Sequence, residues 1–312
     1  MDEPLKLHYP VFTIDCRELL PAGTYLTSEA MDDLVRRARQ EIFSTALFME
    51  YGTLARDLSE LIRQPPYDRI FSDSARNRDL FAIMGQVEYV EPLLETIQEF
   101  KTFDPYTYRH ILVVFALSLL LAQDILPDLK DVTREAMAAP THDLGKFCVP
   151  LEVLTKTTQL SEIEERQLEH HPAAGYVLLS YYLRDASHPA AITARDHHER
   201  EDGSGYPQGI KLQSRLVEIV AVGDLFDALI SHRPYRPTPY DVRTALEEIT
   251  SLAERGAINW EMVQALIGHV RETHPEPAEC IVSRQKRGTP PEDNLYRGVR
   301  RKGSGPEDQT RE

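Results

Sequence analysis

The stretch from Ile111 to Ala122 is apolar at every position but Ser118. Such a run has no polar face to turn to water, so whatever it forms must be covered on all sides. At about a dozen residues it falls short of the ~20 that a bilayer-spanning helix needs. It reads as a buried core helix. Around it, glycine and β-branched residues are sparse and apolar side chains recur at helical spacing. The expected fold is therefore mainly α.

Ahead of that run, Val11 to Ile14 reads as a short strand, and Pro21-Ala22-Gly23 as a turn. Thr27 or Ser28 can cap a helix carrying Met31, Leu34 and Ile42 on one face. Helical patterning continues to about Ile62, Pro65-Pro66 breaks it, and a second helical stretch covers roughly Asn77 to Phe103. These divisions suggest an N-terminal, mostly helical region over 1–100, a second region over 101–275 and a charged tail over 276–312. The tail is rich in Pro, Gly, Arg and Glu and poor in apolar residues, and is expected to be disordered.

With 312 residues the chain is long enough for one large or two modest domains. A net charge of −15 argues against a nucleic-acid duplex as partner, because duplex binding needs clustered Lys and Arg. A small anionic substrate stays possible if the site brings its own cations. Cys16, Cys148 and Cys280 are far apart and odd in number, so they suggest neither a disulfide framework nor a zinc finger. The N-terminus lacks the basic-then-apolar pattern of a signal peptide. Together these features lead us to expect a cytoplasmic protein without a membrane partner.

From Lys101 onward, histidines and acids cluster: His110, His142, Asp143, His171, His197, His198 and Asp224. Imidazoles mixed with carboxylates suit Mn, Fe or Zn better than Ca or Mg. Neighbouring residues on a helix point roughly 100° apart. The adjacent pair His142-Asp143 can thus reach toward two metals, with the Asp placed to bridge them, and His197-His198 repeats the arrangement. So many ligands exceed one closed tetrahedral site and fit two metals in one cavity. Ser161 and Glu164 form a capping-box pattern opening a helix that runs to His171-Pro172. Pro172 suits the start of the next helix, leaving His171 at a junction. His188, His232, His269 and His274 are expected to be ordinary core or surface side chains.

Four words give this cluster a context. Thr141 to Lys146 (THDLGK) resembles the HDxGK word of the HD superfamily of phosphohydrolases. The segment HHEREDGSGYPQG from His197 resembles HHExxDGxGYPxG, the word that defines the HD-GYP subfamily. GDLFDALISHRPYR, ending at Arg236, is similar to ADxFDALxxxRPYR, and DPYTYRH, ending at His110, to DxxTxxH. The resemblance implies an HD-superfamily helical bundle. It implies that His110, His142, Asp143, His171, His197, His198 and Asp224 are metal ligands, with Asp143 bridging. It makes Lys146, Arg233 and Arg236 phosphate-binding cations, Asp227 an acid beside the metal site, and Gly205, Tyr206 and Pro207 a loop for partner contacts.

Relatives with a third metal carry Glu four residues before the first His. Tyr106 stands there, so two divalent ions are expected, with Fe or Mn favoured. Gly223 replaces a usual Ala, Glu218 a usual Arg, and the loop after Pro207 is about two residues shorter than in the family. The last two departures bear on substrate selectivity. The stretch LLPAGTYLT resembles a lead-in to some HD-GYP domains.

The implied activity is hydrolysis of cyclic di-GMP to pGpG or GMP in bacterial signalling. Asp143, Lys146 and Asp227 would serve catalysis, and Lys146, Arg233 and Arg236 would hold substrate. Alternatives are another cyclic dinucleotide, another nucleotide phosphoester, or a non-catalytic adaptor. An exposed Tyr206 would anchor a GGDEF-type cyclase or another signalling protein.

Overall fold

The structure is a computed structural model, and it describes residues 4–233, 238–271 and 273–291. The short strands β1 (Val11–Phe12) and β2 (Glu18–Leu20) pair antiparallel. Thr27 then caps α1 (Ser28–Ala38), its side chain accepting from Ala30 N. Met31, Leu34, Val35 and Ala38 are the buried face of α1. Ile42 continues that spacing but lies past the helix end and is 96% exposed, contrary to the sequence expectation.

The stretch expected to be helical up to Ile62 is interrupted. Thr45–Leu47 is a strand, β3, paired antiparallel with β4 (Glu88–Val90). Pairing with a segment more than forty residues away overrides local helical preference. Between the two strands run α2 (Leu54–Leu61), α3 (Tyr67–Ile70) and α4 (Ser74–Met84). α5 (Glu91–Phe103) follows.

The apolar run lies in α6 (Pro105–Ile125). Asp104 caps this helix by accepting from Thr107 N, and Pro105 begins it. With its polar flanks α6 reaches 21 residues, long and apolar enough to cross a bilayer, yet most of it is buried inside the protein. It packs against α5, α7 (Leu129–Ala138), α12 (Arg215–Ile230) and α14 (Trp260–Val270). Between these lie α8 (Leu151–Leu154), α9 (Glu162–Leu168), α10 (His171–Tyr182), α11 (Pro189–Asp196) and α13 (Val242–Glu254). α10 is buried along its whole length, and α12 from Val217 onward. One apolar core runs from Leu7 to Cys280, so the first hundred residues share it with the rest.

Part of the tail expected to be disordered, 276–291, lies among the described residues. Cys280 is buried, and Val282 packs on the core. Lys286 pairs with Glu248 at 2.8 Å, and the backbone N–H groups of Arg287 and Gly288 donate to the Glu247 carboxylate. The basic segment thus lies along an acidic face of α13. Each half of this match looks like solvated surface when read alone.

Candidate metal centre

His110 lies in the second turn of α6, and Asp224 within α12. His142 and Asp143 sit between two 3₁₀ helices, Ala139–Thr141 and Leu144–Cys148, rather than on an α-helix. His171 begins α10 just after α9, whose Ser161–Glu164 capping box is formed. His197 ends α11 and His198 follows it. Both doublets therefore stand where a helix ends, and the turn, not helical twist, spreads their side chains.

These seven residues converge. His171, His197 and His198 form one group of mutually close ligand atoms, and His110, His142 and Asp224 a second. Asp143 stands between them. Its Oδ2 lies 3.5 Å from His110 Nε2 and 3.6 Å from His142 Nε2. Its Oδ1 lies 3.3 Å from His171 Nε2 and 3.9 Å from His197 Nε2. One carboxylate thus turns an oxygen to each group.

The protonation pattern fits cations. His142 Nδ1 donates to Ala139 O, His171 Nδ1 to Leu168 O and His197 Nδ1 to Ala194 O. A carbonyl only accepts, so these three rings carry their proton on Nδ1 and present a lone pair on Nε2. His171 Nε2 nevertheless faces His197 Nε2 at 3.3 Å and His198 Nε2 at 3.2 Å. The lone pairs of His171 and His197 at that distance repel unless positive charge lies between them. Ligand atoms ~2.1 Å from a shared ion lie about 3.0–3.4 Å from each other, which matches. His142 Nε2 and Asp224 Oδ2 are buried with no hydrogen-bond partner, as atoms that await an ion would be.

Burial lowers the pKa of His142, His171 and His197 to about 4, keeping the rings neutral and ligand-ready. Burial alone would raise the Asp143 carboxyl. Lys146 and the surrounding imidazoles outweigh it and hold Asp143 well below the carboxylate range. Lys146 Nζ donates to Asp143 Oδ2 at 2.5 Å.

Asp227 lies behind the centre. Its Oδ2 accepts from His110 Nδ1 at 2.6 Å, and its Oδ1 accepts from Tyr67 and, at 2.9 Å, from Ser231. Arg233 is half-buried, and its charge is felt at His110 and Arg109. Arg236 lies outside the described residues.

Tyr206, expected to be exposed, is half-buried. Its ring stacks on His198, 4.5 Å between centroids. Gly205 is required for that approach, since a Cβ there would sit 2.4 Å from His198 O and 2.5 Å from Glu199 Cα. Pro207 follows in the same half-buried loop. His188 caps α11, His269 pairs with Asp124, His274 contacts Ser72, and His232 is exposed, so none of these four joins the cluster.

Sequence reasoning missed Tyr67, Arg109, Ser231 and Glu199. Glu199 is buried and accepts from Gln208 N and Gly209 N, which ties the loop after the His doublet to its base. Its place in the word HHE was the available signal. Tyr67 sits far from every word and gave none.

A carboxylate set between two imidazole-rich groups within a helical bundle defines a metal-centre protein of the HD type. Residues 88–258 match the HD domain family, more than half of the chain. The chain belongs to that family, and an HD domain implies dependence on divalent metal. It is 44% identical over 119 residues to the cyclic di-GMP phosphodiesterase response regulator RpfG of Xanthomonas campestris pv. campestris, covering 38% of this chain and 32% of that protein. It is 35% identical over 186 residues to a cyclic di-GMP phosphodiesterase of Thermotoga maritima, covering 58% and 50%. It is also 35% identical over 147 residues to the 3'3'-cGAMP-specific phosphodiesterase 3 of Vibrio cholerae, covering 46% and 32%. The chain thus spans half or less of the length of these curated relatives.

Proposed function

We propose that this chain is a metal-dependent phosphodiesterase that hydrolyses cyclic di-GMP to pGpG or on to GMP. The observation that carries the reading is the Asp143 carboxylate, with one oxygen toward each histidine group and Lys146 on its Oδ2. His110, His142, Asp143 and Asp224 would hold one divalent ion, and Asp143, His171, His197 and His198 the other. Fe or Mn suits this mixture of imidazole and carboxylate. Such a pair supplies Lewis acidity toward a phosphoryl oxygen and makes hydroxide available near neutral pH.

The chain's own groups do the rest. Lys146 sits beside the bridging carboxylate, where charge builds on the phosphoryl oxygens during in-line attack, and would stabilise that charge. Arg233 and Arg236 would grip the phosphates, because a guanidinium fork can engage two oxygens at once. Asp227 accepts from His110 Nδ1, so that a neutral His110 would present its Nε2 lone pair to an ion.

Similarity to a protein named as 3'3'-cGAMP-specific favours a second reading, another cyclic dinucleotide. Glu218 and the shorter loop after Pro207 are departures from the family pattern that bear on substrate selectivity. The test uses the full chain, reloaded anaerobically with Mn or Fe and incubated with cyclic di-GMP, 3'3'-cGAMP and cyclic di-AMP, with products separated. We expect pGpG or GMP from cyclic di-GMP, fastest among the three, and no turnover after chelation. Turnover fastest with 3'3'-cGAMP supports the second reading. No turnover of any substrate by metal-loaded protein overturns both.

A further inference from the structure

We propose that Tyr67, contributed by the segment ahead of the matched HD domain, is a positioning residue for His110. Its hydroxyl fixes Asp227, and Asp227 fixes the His110 ring. The proposal rests on the metal reading given above.

Three histidines of the centre anchor their Nδ1 locally, on carbonyls three residues back in the chain. His110 has no such anchor, because it sits in the body of α6, where carbonyls are engaged in helical hydrogen bonds. Its Nδ1 goes instead to the Asp227 side chain on α12, at 2.6 Å. An ionised, fully buried carboxylate is costly unless all its lone pairs are met. Asp227 is 0% exposed, so its second oxygen needs partners.

Tyr67 and Ser231 are those partners, both donating to Oδ1. Tyr67 is 1% exposed, and burial followed by the nearby Asp227 charge raises its pKa, which keeps the phenol a donor. Arg109 locks the phenol in turn. Its NH2 donates to the Tyr67 oxygen at 3.0 Å, its NH1 to Ser231 Oγ at 2.8 Å, and its guanidinium lies 5.2 Å over the Tyr67 ring. The chain of contacts therefore runs from α3 through Asp227 to His110. Partners that hold a metal-ligating imidazole in place commonly matter 10–100-fold to metal affinity. Residue 67 lies outside the matched span 88–258, so the HD domain by itself does not supply this group.

The test is Tyr67→Phe in the full chain, stripped of metal and titrated with Mn²⁺ by calorimetry, with metal content checked by mass spectrometry. Tyr89→Phe is the control. Tyr89 is equally buried in the N-terminal region, and its hydroxyl donates to the backbone carbonyl of Met137, not to a carboxylate that holds a ligand. We expect two Mn²⁺ equivalents in the wild type and in Tyr89→Phe. In Tyr67→Phe one equivalent should weaken by up to roughly 10-fold, the low end for a group that acts through Asp227, while the other is kept. Equal affinity for both equivalents in Tyr67→Phe overturns the proposal. So does equal weakening of both, which would signal general loosening. Failure of the wild type to bind Mn²⁺ overturns instead the metal reading beneath it.

Discussion

Asp143→Ala is expected to bring phosphodiesterase activity to background, a loss beyond the roughly 100-fold that marks the upper range for residues one shell further out. The substitution removes from the centre a carboxylate whose two oxygens face both histidine groups. It also leaves the Lys146 ammonium, 9% exposed, without its partner. Breaking a buried pair in this way costs about 3–5 kcal/mol, so the alanine variant will melt earlier. Asp143→Asn is therefore the companion. It keeps the shape and an acceptor oxygen for Lys146 while losing the charge. Both variants should fold by circular dichroism and hold less than two equivalents of metal. Full turnover by either one contradicts the assignment of Asp143.

Gly145→Ala should damage the fold and the centre together. The 3₁₀ helix after Asp143 crosses the start of α10 so closely that a Cβ at 145 would lie 1.9 Å from His171 O and 2.4 Å from Gly175 N. Those are backbone atoms and cannot swing aside. α10 would have to move, carrying His171 with it. Overpacking of this kind costs about 1–3 kcal/mol and sometimes more. Each kcal/mol lowers the melting temperature of a chain this size by roughly 2–4 °C. The expected result is a drop of several degrees and loss of metal from the His171, His197 and His198 group. An unchanged melt with full metal content would show that the crossing is looser than described. The glycine of the HDxGK word thus has a physical reason, the crossing of two backbones beside the ligands.

The central helix and the ligand set were legible because each rests on a local signal. An apolar run demands burial wherever it lies, and histidines and acids in recognisable words mark themselves. The capping box at Ser161 is likewise a four-residue device that needs no tertiary context. What stayed hidden depends on distant partners. Thr45–Leu47 becomes a strand because Glu88–Val90 lies alongside it. Lys286 and Gly288 meet Glu248 and Glu247 of α13, partners that no pattern near the tail reveals. Tyr206 reads as an exposed aromatic on a glycine-rich loop until His198 is seen beneath it. Tyr67 reaches Asp227 across 160 residues of chain, and nothing around position 67 announces a link to a metal ligand.

Two cations sharing Asp143 can be seen directly by anomalous diffraction. Crystals of the Mn²⁺-loaded chain should be measured at the manganese absorption edge. The account predicts two anomalous peaks roughly 3.5–4 Å apart, the spacing of paired catalytic metals. The Asp143 carboxylate should lie between them, with His110, His142 and Asp224 around one peak and His171, His197 and His198 around the other. A single peak, or two peaks that Asp143 does not join, would contradict it.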